Sequence, residues 1–176
     1  MSILFSKHCE YALQAITYIA MKPARSATSI KELASRLDIP YHFLAKILQD
    51  LKAKGLLFSQ KGPSGGFGLA KQARAITLLH VVDAIDGLDF SNRCVMGFTH
   101  CNDETPCAAH THWGNIRKGI YAMLAERNLD EVADDMRKPG YSTARLLVPN
   151  NQMKQSDLPK SEKAKSPRPN AHERKL

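Results

Sequence analysis

SIKELASRLDIPYHFLAKILQDLKAKGLLFSQKGPSGGFGLA, residues 29–70, reads as two short helices followed at once by a hairpin. Ser29-Ile30-Lys31-Glu32 has the form of a capping box, in which the serine oxygen takes an orphan backbone N–H and the glutamate reaches back to the cap. Ile30, Leu33, Ala34 and Leu37 then share one helical face. Asp38-Ile39-Pro40 interrupts the pattern, and proline suits a first helical position because its missing N–H would have been unpaired there anyway. A second helix therefore starts near Pro40. Its expected buried stripe is Phe43, Leu44, Ile47, Leu48 and Leu51, which leaves His42, Lys46 and Gln49 on the opposite face. Gly55 is the expected stop. Two strand-like runs, 56–60 and 67–70, flank the glycine-rich turn 61–66 and predict a hairpin.

Helix, tight turn, helix with a polar face, then hairpin is the order of a winged helix-turn-helix. A basic helix face can be merely solvated, but here it is followed directly by a wing, so the chain is expected to bind double-stranded DNA. His42, Lys46 and Gln49 would meet base edges or phosphates in a major groove. Lys61 and the approachable backbone of Gly62, Gly65 and Gly66 would lie along a minor groove or the flanking phosphates. Net charge agrees: the 176 residues carry +8 with a pI near 9.4, which favours a polyanionic partner. No apolar run approaches the ~20 residues that cross a bilayer, and the first residues lack the basic-then-apolar order of a secretion signal. The expectation is a cytoplasmic protein with no membrane partner.

Outward from this block, residues 7–21 place Ala12, Ile16, Ile19 and Ala20 on one helical stripe closed by Pro23. Thr77 caps a helix carrying Leu78, Val81, Val82 and Ile85, and Gly87 ends it. Residues 88–112 have no usable periodicity and hold three cysteines and three histidines, the marks of a functional loop. From Trp113 to about Met136 the pattern is helical again, with Ile116, Ile120, Met123 and Leu124 as a narrow apolar seam and a break near Asn128. Such a helix can pair with a copy of itself. After Pro139 the chain turns to Pro, Lys, Ser, Asn and Gln, and disorder is expected from about Pro149. The fold class is thus mainly α: a winged helix-turn-helix over 1–90, a cysteine loop over 91–112, a long dimerisation helix over 113–138 and a basic tail over 139–176.

Cys94, Cys101 and Cys107 are separated by six and five residues, with His110 and His112 close behind. In a reducing compartment such a cluster points to metal rather than disulfide. Thiolates are soft ligands that suit iron–sulfur clusters or zinc, and the absence of any C-x2-4-C pair leans away from structural zinc. Cys9 stands apart and reads as a small buried hydrophobe.

Glu10-Tyr11-Ala12-Leu13, the helix-turn-helix and above all residues 55–70 resemble the Rrf-two family of bacterial winged-helix transcription regulators, over roughly residues 2–136. Lys61 stands where that family commonly has arginine, and Phe67 where it commonly has tyrosine. Lysine keeps the charge but not the bidentate fork. The resemblance adds Ser59 and Ser64 to the expected DNA contacts. It implies that Cys94, Cys101 and Cys107 are three ligands of a 2Fe-2S or 4Fe-4S cluster, in a loop whose first gap is commonly five residues rather than six. His110 matches the fourth ligand of members that regulate iron–sulfur assembly. Glu10 matches the first-helix acidic ligand of nitric-oxide-sensing members, supplied from the other subunit.

The function expected is a homodimeric regulator, acting as a repressor on a palindromic operator, whose cluster senses redox, nitric oxide or iron–sulfur status. A cluster-free or zinc-binding regulator that senses thiol oxidation is the alternative. A small iron–sulfur electron carrier is a third, although such a carrier has no need of a wing. No nucleotide fingerprint or nucleophile–base set points to an enzyme.

Overall fold

The computed structural model describes residues 4–63, 65–99 and 101–138. Ser64, His100 and the tail 139–176 lie outside the described residues, and with them the expectation of a disordered end. Among the described residues six α-helices and a two-stranded sheet follow one another as α1 (Lys7–Ala20), α2 (Ile30–Leu37), α3 (Tyr41–Ala53), β1 (Leu57–Gln60), β2 (Gly66–Leu69), α4 (Leu78–Ile85), α5 (His110–Glu126) and α6 (Leu129–Arg137). Among the described residues no helix is long and apolar enough to cross a membrane.

Local chemistry accounts for most boundaries. The Ser29 hydroxyl accepts from the Glu32 N–H at 3.1 Å and starts α2. Glu32, however, does not reach back to close the box. Its carboxylate accepts from Lys22 Nζ at 2.8 Å and from the Tyr18 hydroxyl at 3.0 Å, a pairing between α1 and α2 that outcompetes the local one. Asp38 ends α2 in the left-handed conformation, with φ 53°. At the end of α3, Gly55 has φ +70°, its N–H donates to the Lys52 carbonyl and the Leu56 N–H donates to the Leu51 carbonyl. That pair of bonds is a Schellman cap, and only glycine adopts it without strain.

The hairpin is antiparallel with Leu57 opposite Leu69 and Gln60 opposite Gly66. Its outer edge is not bare. Thr28, just before α2, pairs with Phe67 on β2 through N–H···O bonds of 2.8 and 2.9 Å, so the wing is fastened directly to the helix-turn-helix. A Cβ on Gly66 would collide with the Thr28 carbonyl, so this close approach requires glycine.

The last helical stretch starts earlier than expected and breaks where expected. α5 begins at His110, three residues before Trp113, and the chain breaks at Asn128 into a separate α6. Asn128 caps α6 by accepting from the N–H groups of Asp130 and Glu131, and Glu131 bonds back to the Asn128 N–H. On either side of the break, Leu78 N–H donates to the Arg127 carbonyl and Leu129 N–H to the Ile76 carbonyl, at 2.9 and 2.8 Å. These bonds turn α6 back onto α1, where Leu129 and Ala133 join the main core.

That core is built from Ala12 and Ile16 of α1, Leu33 of α2, Leu44, Ile47, Leu48 and Leu51 of α3, Leu57 and Phe67 of the wing, Ile76 and Val81. Burying each large side chain contributes roughly 1.5–3 kcal/mol. Phe43, expected in the buried stripe, is instead 39% exposed, its ring lying edge-on to His8 and Tyr11 at the border of the core. A smaller cluster of Cys9, Val82, Phe90 and Leu124 seats α5 and the start of the cysteine loop on α1 and α4. The expected seam of α5 therefore divides. Leu124 and Ile120 face this second cluster, whereas Ile116 and Met123 are 53% and 48% exposed.

Candidate DNA-binding surface and thiol centre

On α3 the buried residues Leu44, Ile47, Leu48 and Leu51 anchor one side, and His42, Lys46 and Gln49 stand exposed on the other. Positions i, i+4 and i+7 fall on one face, so these three side chains form a single stripe. Tyr41, which stripe counting passed over, is 50% exposed at the head of the same helix, with its ring edge-on to His42 at 5.7 Å. Its exposure beside an expected base-reading residue is visible only in three dimensions.

In the wing, Ser59, Lys61 and Gly62 are exposed. Gly62 has φ +115°, a conformation that L side chains rarely adopt. The Gly65 N–H donates to the Gly62 carbonyl at 2.9 Å and a Cβ there would strike the Gln60 carbonyl, so this glycine also shapes the turn.

The thiol centre gathers residues from the loop and the head of α5. Cys94, Cys101 and Cys107 are half-buried and none is in a disulfide. The backbone N–H of Phe98 holds the Cys94 thiol below its ordinary range; burial pulls the other way, and the Met96 N–H and the side chains of Cys107 and Cys101 add to the lowering. Cys101 Sγ lies 3.4 Å from His110 Nδ1, and His110 Nε2 lies 2.8 Å from Asp103 Oδ1. Asp103 was missed by the sequence reading because an aspartate in an aperiodic loop carries no signal of direction. Just before the first thiol, the Arg93 carbonyl accepts from Trp113 Nε1 at 2.7 Å and from an Arg117 guanidinium N–H at 3.3 Å, which pins the loop to α5. A cleft of about 540 Å³ opens beside Cys101, His110 and Arg117.

The remaining candidates sit elsewhere. Glu10 lies on the first turn of α1, where Lys7 Nζ donates to it at 2.8 Å. His112 is exposed on α5. Cys9 is sealed in the second cluster, where burial pushes its thiol up to about 12, the behaviour of a packed side chain rather than a ligand.

Among the described residues no three His, Cys, Asp or Glu side chains close around a point where one metal ion would sit. A multi-iron cluster is larger than one ion and takes its sulfur ligands around its outside. Three thiols, one of them already supplied with two amide donors, and an imidazole oriented by a carboxylate are a donor set that fits such a cluster.

A recognition helix with an exposed polar stripe, a wing locked to it and a thiol loop mounted on a long helix define a winged-helix transcription regulator. The chain belongs to the Rrf2 family, whose model, described as an iron-dependent transcriptional regulator, matches residues 5–135. It is 32% identical to a putative HTH-type transcriptional regulator of Aquifex aeolicus over 67% of this chain and 83% of that one. It is 28% identical to the HTH-type transcriptional regulator IscR of Vibrio atlanticus, over 71% of this chain and 72% of the relative. Its fold is similar to CymR, the global cysteine regulator of B. subtilis, with TM-score 0.63, 23% identity and coverage of 74% and 96%. It is also similar to T. potens IscR, with TM-score 0.59, 22% identity and coverage of 74% and 85%. The relatives are regulators, not enzymes.

Proposed function

We propose that the protein is a homodimeric repressor in which Cys94, Cys101, Cys107 and His110 hold an iron–sulfur cluster, and that the state of this loop sets its affinity for a palindromic operator. The observation that supports the reading is three half-buried, unbonded thiols carried on residues 94–107, with Cys101 Sγ 3.4 Å from the His110 imidazole. The IscR relatives support it. When bound, a cluster supplies a centre sensitive to redox state and nitric oxide.

The chain's own residues do the rest. Asp103 orients the His110 ring so that Nδ1 faces the thiols, which favours His110 over Glu10 as fourth ligand. Trp113 and Arg117 carry the position of the loop to α5 through the Arg93 carbonyl. Phe90 and Leu124 carry it onward to α1 and α4, both of which pack on α3. The exposed Ile116 and Met123 offer α5 of a second copy an apolar strip. Two recognition helices related by a twofold axis would then meet two half-sites through His42, Lys46 and Gln49, with Ser59, Lys61, Gly62 and Ser64 of the wing on the flanking backbone. Glu10, supplied across the dimer, is the competing fourth ligand, and Glu10→Ala beside His110→Ala separates the two.

Anaerobic reconstitution tests the proposal. Bound iron and sulfide with visible absorption are expected, and both should vanish in a variant with Cys94, Cys101 and Cys107 all replaced by serine. A colourless, iron-free wild type would refute it.

A cluster-free thiol sensor is the second reading. It is favoured by three free, half-buried thiols carried on one loop, since a peroxide-class oxidant could take two protons and two electrons from a pair of them and leave a disulfide. In that case the reconstituted protein holds no metal, and oxidation removes two titratable thiols from the loop.

A further inference from the structure

A second concavity lies far along the chain from the thiols, between the end of α1, the segment after β2 and α6. It has a volume of about 860 Å³, within the range of small-molecule sites. Lys22, Arg25, Lys71, Arg74 and Arg137 line it, against a single carboxylate, Asp130. This imbalance is local, since residues 1–138 as a whole carry 17 Lys and Arg against 14 Asp and Glu.

Two of the five cations are already answered. Lys22 bonds Glu32 at 2.8 Å, and Arg137 bonds Asp134 at 2.6 Å and the Met21 carbonyl at 3.1 Å. Arg74 has only the neutral Gln72 amide oxygen, at 2.7 Å, and Arg25 and Lys71 make no ion pair or side-chain hydrogen bond with the described residues. Local hydrogen bonds and close backbone packing shape the walls. Ser26 closes the turn under Arg25 by donating from its N–H and its hydroxyl to the Pro23 carbonyl, at 3.1 and 2.7 Å. Arg25 itself has φ +63°, a conformation uncommon for any residue with a β-carbon. Gly68 lets the Ser26 carbonyl press against β2, where a Cβ would collide with it.

We propose that this cleft is a binding site for a phosphate-bearing anion with at least two negative charges, nucleotide-sized or smaller. Arg and Lys donors spread over three walls suit several phosphate oxygens at once, and Ile19 and Leu69 add an apolar lining beside them. None of the lining residues belongs to the expected DNA-reading set. The turn that carries Arg25 runs within three residues into Thr28 and so into the wing, which gives the occupant a direct route to DNA affinity.

The test is calorimetric titration of the full chain with pyrophosphate and with ADP, beside Arg25→Gln/Lys71→Gln and, as a control in the wing, Lys61→Gln. Circular dichroism melting verifies that each variant folds. Saturable binding of one ligand per chain is expected, weakened at least tenfold in the double variant and unchanged in the control. If neither small ligand binds but the double variant lowers the salt slope of DNA binding by between one and two, the phosphates are those of the duplex and the small-anion site is overturned. Wild-type binding of pyrophosphate and ADP by the double variant, or an equal loss of that binding in the Lys61 control, likewise overturns the proposal. None of these outcomes depends on iron, so they separate cleanly from the fate of the cluster reading.

Discussion

Four cysteines in one chain meet two environments, and the difference is measurable at single side chains. Cys9 has no solvent exposure, while Cys94, Cys101 and Cys107 are half-buried in the loop. In metal-free, reduced protein a thiol reagent should titrate three groups within minutes and the fourth only in denaturant; four fast thiols would show that the second cluster is open. Replacing Asp103 by asparagine removes the charged acceptor from His110 Nε2. Loss of such a carboxylate typically costs 10–100-fold in metal affinity, and because Asp103 is fully exposed the low end is expected, read as faster iron loss to a chelator. At the α1–α2 junction, the hydrogen bond from Lys22 holds the Glu32 carboxyl below its ordinary range. A depressed carboxylate stabilises the fold above its unfolded-state pKa, and that contribution disappears as pH falls through the folded-state value. Glu32→Gln should therefore lose less stability than wild type on acidification to about pH 3, by under about 1 kcal/mol because both partners stay partly exposed to water. Denaturant midpoints at pH 7 and pH 3 read the difference directly. Burial of Cys9 was legible in the sequence, since an isolated cysteine on an apolar helix face is usually packed. Tyr41 and Asp103 were not, because their roles come from neighbours that no periodicity reveals.

At the scale of elements, punctuation carried the information. Ser29, Pro40, Gly55, Thr77 and Gly87 mark ends that the structure keeps within a residue or two, since each answers a local backbone demand. Where a boundary rests on a distant partner the sequence was mute. Thr28 is one residue long as a strand, and only Phe67 across from it makes it one. The return of α6 depends on Ile76 and Leu78 meeting the backbone around Asn128, fifty residues on. The Gly66→Ala substitution should push the wing off Thr28, lower the melting temperature and weaken operator binding together. Unaltered DNA affinity in a folded variant would mean that wing placement is irrelevant. Asn128→Ala removes a cap that serves two N–H donors, at a cost of about 1 kcal/mol. Urea denaturation should register it without change in thiol accessibility, because α6 packs on α1 rather than on the loop.

In the molecule as a whole, the main core builds a DNA-reading head and the second cluster fastens the thiol loop and α5 to it. The winged-helix order was readable from residues 29–70 alone, and a separate cysteine-bearing loop from the loss of periodicity after residue 88. The path between them was not, because it runs through Phe90, Val82, Cys9 and Leu124, four residues from four separate segments. If that path works, a change at the sulfur atoms must be felt on the duplex. The most direct measurement is the affinity of anaerobically purified protein for a duplex selected from a random library, taken before and after nitric oxide, alongside the form with all three loop cysteines replaced by serine. The account predicts a shift of at least tenfold in the iron-loaded wild type and none in the serine form. An iron-loaded wild type that bleaches on nitric oxide yet holds its duplex with unchanged affinity would contradict it.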